Sequence, residues 1–179
     1  MRIISGTHKG KIITPDKNFK ARPTTDFAKE NLFNVLNNYI DIEDASVLDL
    51  FAGTGSISYE FASRGAGKII SIELNYNHYA FIKKTACQLG FKNMTIFKTD
   101  VFIACKKLNG TTFDIIFADP PYNLEKINDI PAAIFNNDLL APDGIAVIEH
   151  PSSVDFSSEP HFFEHRQYGS VNFSIFKRQ

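Results

Sequence analysis

VLDLFAGTGSIS, residues 47–58, passes from apolar residues through two glycines into a helical pattern. The apolar start predicts a short buried strand. Gly53 and Gly55 let the chain turn tightly, and they let a ligand approach the backbone without meeting a Cβ atom. The helix that follows would offer free N–H groups and the positive end of its dipole. The stretch therefore indicates a strand–turn–helix corner that binds a nucleoside.

Alternating strand and helix patterns surround this corner. Apolar segments separated by helical segments predict five strands before residue 151, and two more strands form a hairpin that turns at Gly169 and Ser170. Strands that alternate with helices favour a mostly parallel sheet with both faces covered. We therefore predict an α/β fold with a doubly wound, mostly parallel seven-stranded sheet, an antiparallel C-terminal hairpin and a small N-terminal β-arm. The predicted strands are 46–52, 68–73, 94–100, 113–119, 144–150, 161–168 and 171–178.

The composition is that of one globular domain in a reducing compartment. Of 179 residues, 44% are hydrophobic and 22% are charged, which is enough apolar mass for a core. The apolar runs are too short to span a bilayer, and the N-terminus lacks the apolar segment of a signal peptide. Cys87 and Cys105 have no metal-ligand spacing. We expect a monomeric, cytoplasmic protein with no membrane contact and no metal site.

Positive charge is concentrated near the N-terminus. Residues 1–40 carry seven Lys or Arg and three Asp or Glu, a net charge of +4, whereas the remaining residues carry a net charge of −5. Residues 1–15 have the pattern of a small β-hairpin, and Pro23 holds the chain extended before a first helix. A basic arm on an acidic body suggests a polyanionic partner that makes phosphate contacts.

Three carboxylates come at the ends of three successive predicted strands. Asp49 precedes the glycine corner, Glu73 lies 24 residues later, and Asp100 closes the third strand. In a doubly wound sheet ligands bind at the carboxyl ends of the strands, where an acidic residue accepts ribose hydroxyls. We expect Glu73 to bind a ribose and Asp100 to meet an adenine amino group. Each carboxylate taken alone could instead cap a helix.

Two other phosphate-binding motifs match the corner less well. A dinucleotide-binding GxGxxG motif needs glycine at position 58, and Ser58 there weakens that motif without excluding it. A P-loop of the form GxxxxGK[ST] is absent. The corner therefore favours a nucleoside ligand.

The segment FADPPY, residues 117–122, ends the fourth predicted strand. That strand lies beside the first in a doubly wound sheet, so its end borders the nucleoside pocket. Asp119 offers a carboxylate acceptor, Pro120 offers a stiffly held carbonyl acceptor, and Tyr122 offers a face on which a base can stack. Two acceptors and a ring suit a planar exocyclic amine, which they would aim at an electrophile. Taken alone, D-P-P-Y could be only a rigid turn.

These motifs resemble those of a known family. DLFAGTGS (49–56) and DPPY (119–122) are similar to the nucleoside-binding and catalytic motifs of amino-directed, S-adenosylmethionine-dependent methyltransferases, which have the class I, Rossmann-like fold. MRIISGTHKGKIITP at the start of the chain and ARPTTDFAKENLFNVL (21–36) resemble more narrowly the RsmD family, which methylates guanine N2 in 16S ribosomal RNA. The resemblance covers nearly the whole chain in motif order.

The resemblance implies roles for regions and residues. Residues 1–20 would form a β-hairpin arm that contacts RNA, and residues 21–179 would form the methyltransferase domain. The partner would be ribosomal RNA, a small ribosomal subunit or an assembly intermediate of it. The methyl donor, S-adenosylmethionine, would bind Asp49, Phe51, Ala52, Gly53, Gly55, Glu73, Asp100, Val101 and Thr24. The target guanine, flipped out of its helix, would bind Asp119, Pro120, Pro121 and Tyr122, and RNA would contact Arg2, Lys9, Lys11 and Arg22.

Two alternatives stay open. DPPY is shared with enzymes that methylate DNA adenine N6 or a protein amide, although this chain lacks a separate domain for reading duplex DNA. A nucleic-acid-binding module without catalysis is the second alternative. The intact Asp119 and the intact glycine corner argue against it.

Overall fold

Seven strands form one mixed sheet in the computed structural model, which describes residues 1–15 and 25–178. The strands are β1 (Ser46–Asp49), β2 (Lys68–Glu73), β3 (Met94–Lys98), β4 (Phe113–Ala118), β5 (Leu140–His150), β6 (Phe162–Tyr168) and β7 (Val171–Phe176). Their order across the sheet is β3-β2-β1-β4-β5-β7-β6. The first five strands are parallel, and β7 runs antiparallel to both β5 and β6. The predicted seven-stranded sheet and its C-terminal hairpin are confirmed.

Helices follow the first strands as the sequence pattern predicts. Thr25 is the N-cap of the first helix, where its side-chain oxygen accepts a hydrogen bond from the backbone N–H of Ala28 at 3.1 Å. The strand β1 ends three residues before its predicted end, because the chain turns away after Asp49 toward the glycine corner. The helices are α1 (Asp26–Asn37), α2 (Ser56–Ser63), α3 (Tyr76–Gln88), α4 (Val101–Lys107) and α5 (Ile130–Phe135).

The two faces of the sheet pack against different helices. Val47 and Ile115 belong to a core that also contains residues of α1, α2 and α3, whereas Leu48 and Ile116 belong to a second core with residues of α4 and α5. The division follows from the alternation of side chains along a strand.

The same alternation brings acidic side chains to one face of the sheet. Four acidic residues lie within one residue of the ends of β1, β2, β4 and β5, and each is an even number of positions from a strand residue that faces α1, α2 and α3. They are Asp49, Glu73, Asp119 and Glu149. The strand β1 lies between β2 and β4, so the winding of the sheet reverses between β1 and β4. Ligands of doubly wound sheets bind at this reversal.

Residues 1–15 form a short antiparallel pairing. Met1 and Ile13 exchange backbone hydrogen bonds of 3.0 and 2.9 Å, and Arg2 forms a β-bridge with Ile12. Ile3 and Ile13 are buried in the core that contains α1 and α2. The predicted division of the chain at residue 20 falls outside the described residues and stays a prediction.

A buried carboxylate fixes these N-terminal residues to α2. Glu60 in α2 accepts hydrogen bonds from the backbone N–H groups of Ile4 and Ser5 at 2.8 and 3.0 Å. The ammonium group of Lys29 lies 3.6 Å from the same carboxylate, and Arg64 lies 2.9 Å from it. Burial lowers the pKa of Lys29, and the charge of Glu60 opposes this shift. Removing one member would leave an uncompensated buried charge, so the network holds the arm in one place.

Candidate active site

A cavity of about 750 Å³ opens at the carboxyl ends of the parallel strands, where the winding reverses. Its volume is within the usual range of small-molecule sites. The start of α1 borders it with Thr25 and Ala28, and β7 borders it with Val171. The predicted site residues that line the cavity are Asp49, Phe51, Ala52, Gly53, Glu73, Asp100, Val101, Asp119, Pro120, Pro121 and Tyr122.

The turn between β1 and α2 requires both of its glycines. Gly53 and Gly55 have φ angles of +55° and +82°, a region that is costly for residues with a Cβ atom. A Cβ on Gly55 would lie 2.6 Å from the ring of Tyr59, so Gly55 shapes the turn rather than lining the cavity. For a Cβ on Gly53 the nearest contact would be the Phe51 carbonyl oxygen at 4.0 Å. The bare backbone of Gly53 therefore leaves room for a ligand.

Glu73 ties the end of β2 to the glycine turn. One carboxylate oxygen accepts a hydrogen bond from the backbone N–H of Gly53 at 2.8 Å, and the other accepts one from Asn75 at 2.7 Å. The His78 imidazole lies 3.8 Å from the second oxygen. A carboxylate has about four lone-pair sites, so these contacts leave Glu73 able to accept ligand hydroxyls.

Asp49 lines the cavity and is 1% exposed. Its Oδ2 accepts a hydrogen bond from the hydroxyl of Ser58 at 2.5 Å, and its buried Oδ1 has no partner among the described residues. Ser58 also bonds to Ser71 at 2.8 Å. Burial raises the pKa of Asp49 to about 7, although the hydrogen bond from Ser58 opposes the shift. Ser58 therefore has a structural use at the position where a GxGxxG motif has glycine.

Asp100 lines the cavity and also caps a helix. Its Oδ1 accepts hydrogen bonds from the backbone N–H groups of Phe102 and Ile103 at 2.9 and 3.2 Å, at the start of α4. The helix-capping alternative for this residue is therefore realised in the structure. Binding of a ligand amino group by Asp100 stays a prediction.

The D-P-P-Y segment leaves the end of β4 and borders the cavity from the side opposite Glu73. Asp119 is half-buried and Pro120 is buried, whereas Tyr122 is 40% exposed. The hydroxyl of Tyr122 donates a hydrogen bond to the Glu149 carboxylate at 3.1 Å. The ring is thereby held at the mouth of the cavity.

Sequence reasoning missed Glu149, which lines the cavity near the end of β5. The rule that singled out Asp49 and Glu73 would have found it, because it too is acidic and close to the carboxyl end of a strand. No local motif marks the remaining lining residues, since they reach the cavity only through tertiary packing. Among them are Leu74, His78, Phe102, Leu124 and Val171.

The predicted RNA contacts differ in their surroundings. Lys9 and Lys11 are exposed, whereas the guanidinium of Arg2 forms a salt bridge of 3.1 Å with Asp26. The arm reaches the rim of the cavity, where the hydroxyl of Thr54 lies 3.7 Å from the sulfur of Met1. Two further predicted site residues, Arg22 and Thr24, lie outside the described residues.

Within residues 1–15 and 25–178, no group of three or more His, Cys, Asp or Glu side chains could hold a metal ion. No helix in the same part of the chain is long and apolar enough to cross a membrane.

The cavity fits S-adenosylmethionine, the donor that the resemblance implies. The bare turn at Gly53 admits a bulky ligand, and the unpartnered Oδ1 of Asp49 offers an acceptor. Glu73 stands beside the turn, where ribose hydroxyls bind in this class of sheet. Ile72 and Phe102 add apolar walls suited to a purine ring.

Comparison with known proteins places the chain in a family. A family model described as conserved hypothetical protein 95 matches residues 1–177. A relative named ribosomal RNA small subunit methyltransferase D, from Buchnera aphidicola subsp. Baizongia pistaciae, is 30% identical over 87% of this chain and 78% of its own length. The structure of yhhF from Escherichia coli is 26% identical, with a TM-score of 0.86 over 100% of this chain and 98% of that chain.

A more distant structure shares the fold alone. The complex of the protein SMU.776 with SAH is 20% identical, with a TM-score of 0.64 over 83% of this chain and 49% of that chain. The family model spans almost every residue, and the Buchnera relative aligns with most of the chain. The chain therefore belongs to the RsmD family.

Proposed function

We propose that this protein transfers a methyl group from S-adenosylmethionine to the exocyclic N2 amine of a guanine in small-subunit (16S) ribosomal RNA. The observation that carries the proposal is that the Asp119–Tyr122 segment and the glycine turn open into one cavity. A donor at the turn and an amine at Asp119 would therefore meet. The ribosomal substrate rests on family membership and on the name of the Buchnera relative.

S-adenosylmethionine is supported as donor by the fold, by the family and by the SAH bound to SMU.776. When bound, it supplies an activated sulfonium methyl group. In this proposal Glu73 accepts its ribose hydroxyls, and Asp100 and Val101 border its adenine. Gly53 and Asp49, with the neighbouring residues of the turn, border the remainder.

The D-P-P-Y segment would hold the amine. The carboxylate of Asp119 accepts one N–H of guanine N2, and the carbonyl of Pro120 accepts the other. These hydrogen bonds draw the nitrogen lone pair out of conjugation with the ring. Asp119 then stabilises the positive charge that develops on the nitrogen and takes a proton from it. Positioning of this kind supplies several kcal/mol and reaches roughly 7–11 kcal/mol in ideal cases.

The target base must leave its helix to reach this pocket, because a base that is paired and stacked cannot present its amine there. The half-exposed ring of Tyr122 offers a stacking surface at the mouth of the cavity. Stacking of a base on an aromatic ring stabilises binding by about 1–3 kcal/mol, which offsets part of the unstacking cost.

Residues 1–20 would act as an RNA-contacting arm on a methyltransferase domain of residues 21–179. Lys9 and Lys11 are exposed on this arm and would contact phosphates. Arg2 would do so only in exchange for its salt bridge with Asp26. The proposed roles of Arg22 and Thr24 rest on the sequence resemblance.

The direct test is transfer of label from radioactive S-adenosylmethionine to ribosomal RNA. The RNA is offered free and within small-subunit particles from cells that lack this protein, and the labelled nucleoside is then identified. We expect label on guanine N2. Label on adenine would keep the chemistry of the D-P-P-Y pocket and refute the substrate. An absence of label with the donor still bound would redirect the search to DNA adenine or protein amide substrates.

Replacement of Asp119 tests the proposed chemistry. We expect Asp119→Ala to lower the turnover number by at least about 100-fold, because a general acid–base group contributes about 10²–10⁴ in rate. Donor affinity, measured by calorimetry, should be unchanged. Asp119→Asn keeps the size of the side chain and should be equally inactive, because an amide does not accept the proton. Loss of donor binding in both variants would instead place Asp119 in the donor pocket or the core.

A further inference from the structure

The cavity contains a carboxylate that the proposed mechanism does not use. Glu149 lines the cavity near the end of β5 and is 8% exposed. Its Oε1 accepts a hydrogen bond from the hydroxyl of Tyr122 at 3.1 Å. A carboxylate has about four lone-pair sites, so it can accept hydrogen bonds from several donors at once.

Glu149 stands beside Asp119. Ala118 pairs with Ile148 in the parallel register of β4 and β5, and Asp119 and Glu149 are the next residues along the two strands. Neighbouring strands lie about 4.8 Å apart. Both acidic residues also follow the same face of the sheet and line the same cavity. Two carboxylates therefore adjoin each other beside the Tyr122 ring.

Two adjacent carboxylate acceptors match the two neighbouring hydrogen-bond donors of guanine. The Watson–Crick edge of guanine presents two neighbouring donors, N1–H and the N2 amine. Adenine presents a lone pair at N1 beside its amine, and cytosine presents a lone pair at N3 beside its amine. A carboxylate opposite such a lone pair would have two acceptors facing each other in a largely buried site. Sites built around a hydrogen bond strongly reject analogues that cannot make it.

We propose that Glu149 accepts the N1–H of the target guanine and thereby makes the cavity specific for guanine over other amino-bearing bases. This inference rests on the proposed function, which assigns the N2 amine to Asp119. Tyr122 would then contact both Glu149 and the target guanine, because its hydroxyl orients the carboxylate while its ring stacks on the purine.

The test uses 2-aminopurine, which keeps the 2-amino group of guanine but has a lone pair at N1. Small-subunit particles are reconstituted with RNA that carries guanine or 2-aminopurine at the target nucleotide identified by the labelling experiment. We expect the wild-type protein to prefer guanine in kcat/KM by at least about tenfold. In Glu149→Gln the amide can donate to the N1 lone pair, so the preference should fall by about ten- to a hundredfold.

Two variants separate direct reading of the base from positioning of the ring. Tyr122→Phe removes the hydroxyl that orients Glu149 but keeps the ring and the carboxylate, so methylation of both substrates should weaken while the preference for guanine falls less than in Glu149→Gln. Glu43→Gln makes the same charge change at an exposed position and should alter neither substrate. Donor affinity by calorimetry reports whether each variant retains its fold.

Specific results would overturn the inference. Equal methylation of guanine and 2-aminopurine by the wild-type protein would do so without recourse to any variant. An equal loss on both substrates in Glu149→Gln, reproduced by Tyr122→Phe, would reduce Glu149 to a positioning residue for the ring. Failure of the proposed function has a different signature, since the wild-type protein would then place no label on guanine N2.

Discussion

Asp49 is a buried carboxylate whose ionisation opposes folding. Its pKa is about 7 in the folded protein, against an ordinary value of 3.8 for an aspartate in water, because burial disfavours the charged form. A raised carboxyl pKa means that the folded state binds more protons than the unfolded state between these two values. This group therefore makes the folded protein progressively less stable as the pH rises from about 4 to about 7.

Asp49→Asn should remove this pH dependence. We expect the difference in free energy of unfolding, variant minus wild type, to increase as the pH is raised from 4 to 8. The upper limit of this increase is on the order of 4 kcal/mol, because each pKa unit corresponds to about 1.4 kcal/mol. Urea denaturation at several pH values measures it. Asp143→Asn, at an exposed position, is the control and should show the wild-type profile. Parallel profiles for wild type and Asp49→Asn would refute the assignment.

The sequence predicts where such a residue stands but not what surrounds it. The apolar run and the glycines placed Asp49 at the end of a strand. Its partner Ser58 and the contact of Ser58 with Ser71 depend on how α2 packs on the sheet. Glu149 shows the same limit, because its neighbour Tyr122 is 27 residues away along the chain.

At the scale of elements, the docking of the arm on α2 depends on Gly6. This residue has a φ of +79°, and a Cβ there would lie 1.8 Å from the backbone carbonyl oxygen of Ser63. A backbone atom cannot swing aside as a flexible side chain can. We expect Gly6→Ala to displace the arm from α2 and lower the free energy of unfolding by several kcal/mol, measured by chemical denaturation.

Gly10 provides the matched control for this prediction. Its φ of +83° is nearly the same, but a Cβ there would meet nothing within 4 Å. Gly10→Ala should therefore cost only the backbone strain, about 1–2 kcal/mol. Methyl transfer should fall in Gly6→Ala more than donor binding does, because the proposed RNA contacts are on the arm. Equal losses of stability in the two variants would show that strain, not docking, sets the cost.

Elements were more predictable than their contacts. Periods of two and of about four residues placed the strands and helices, because side-chain burial repeats with the local geometry. The hairpin turn at Gly169 depends on local chemistry and was also predictable. The docking of residues 1–15 was not, because Glu60 accepts from Ile4 and Ser5 across more than 50 residues.

At the scale of the whole molecule, the uneven charge of the chain has a structural counterpart in the exposed lysines of the arm. Lys9 and Lys11 lie in the segment that packs on α2, on the side of the sheet that carries the acidic strand ends. Lys106 and Lys107 lie in the last turn of α4, which packs against the opposite face. The two lysine pairs therefore carry equal charge on opposite sides of the sheet.

This arrangement gives a test of the arm as the RNA-contacting surface. Replacing both Lys9 and Lys11 by Gln should weaken binding of substrate RNA and make the slope of log affinity against log salt shallower by about 0.7–0.9 for each lost contact. Turnover at saturating RNA should be retained, because neither lysine lies at the cavity, so the effect belongs to KM. Replacing Lys106 and Lys107 by Gln changes the net charge equally and should leave the salt slope unchanged. If both double variants lose affinity alike, RNA responds to the net charge of the protein and the arm has no special role.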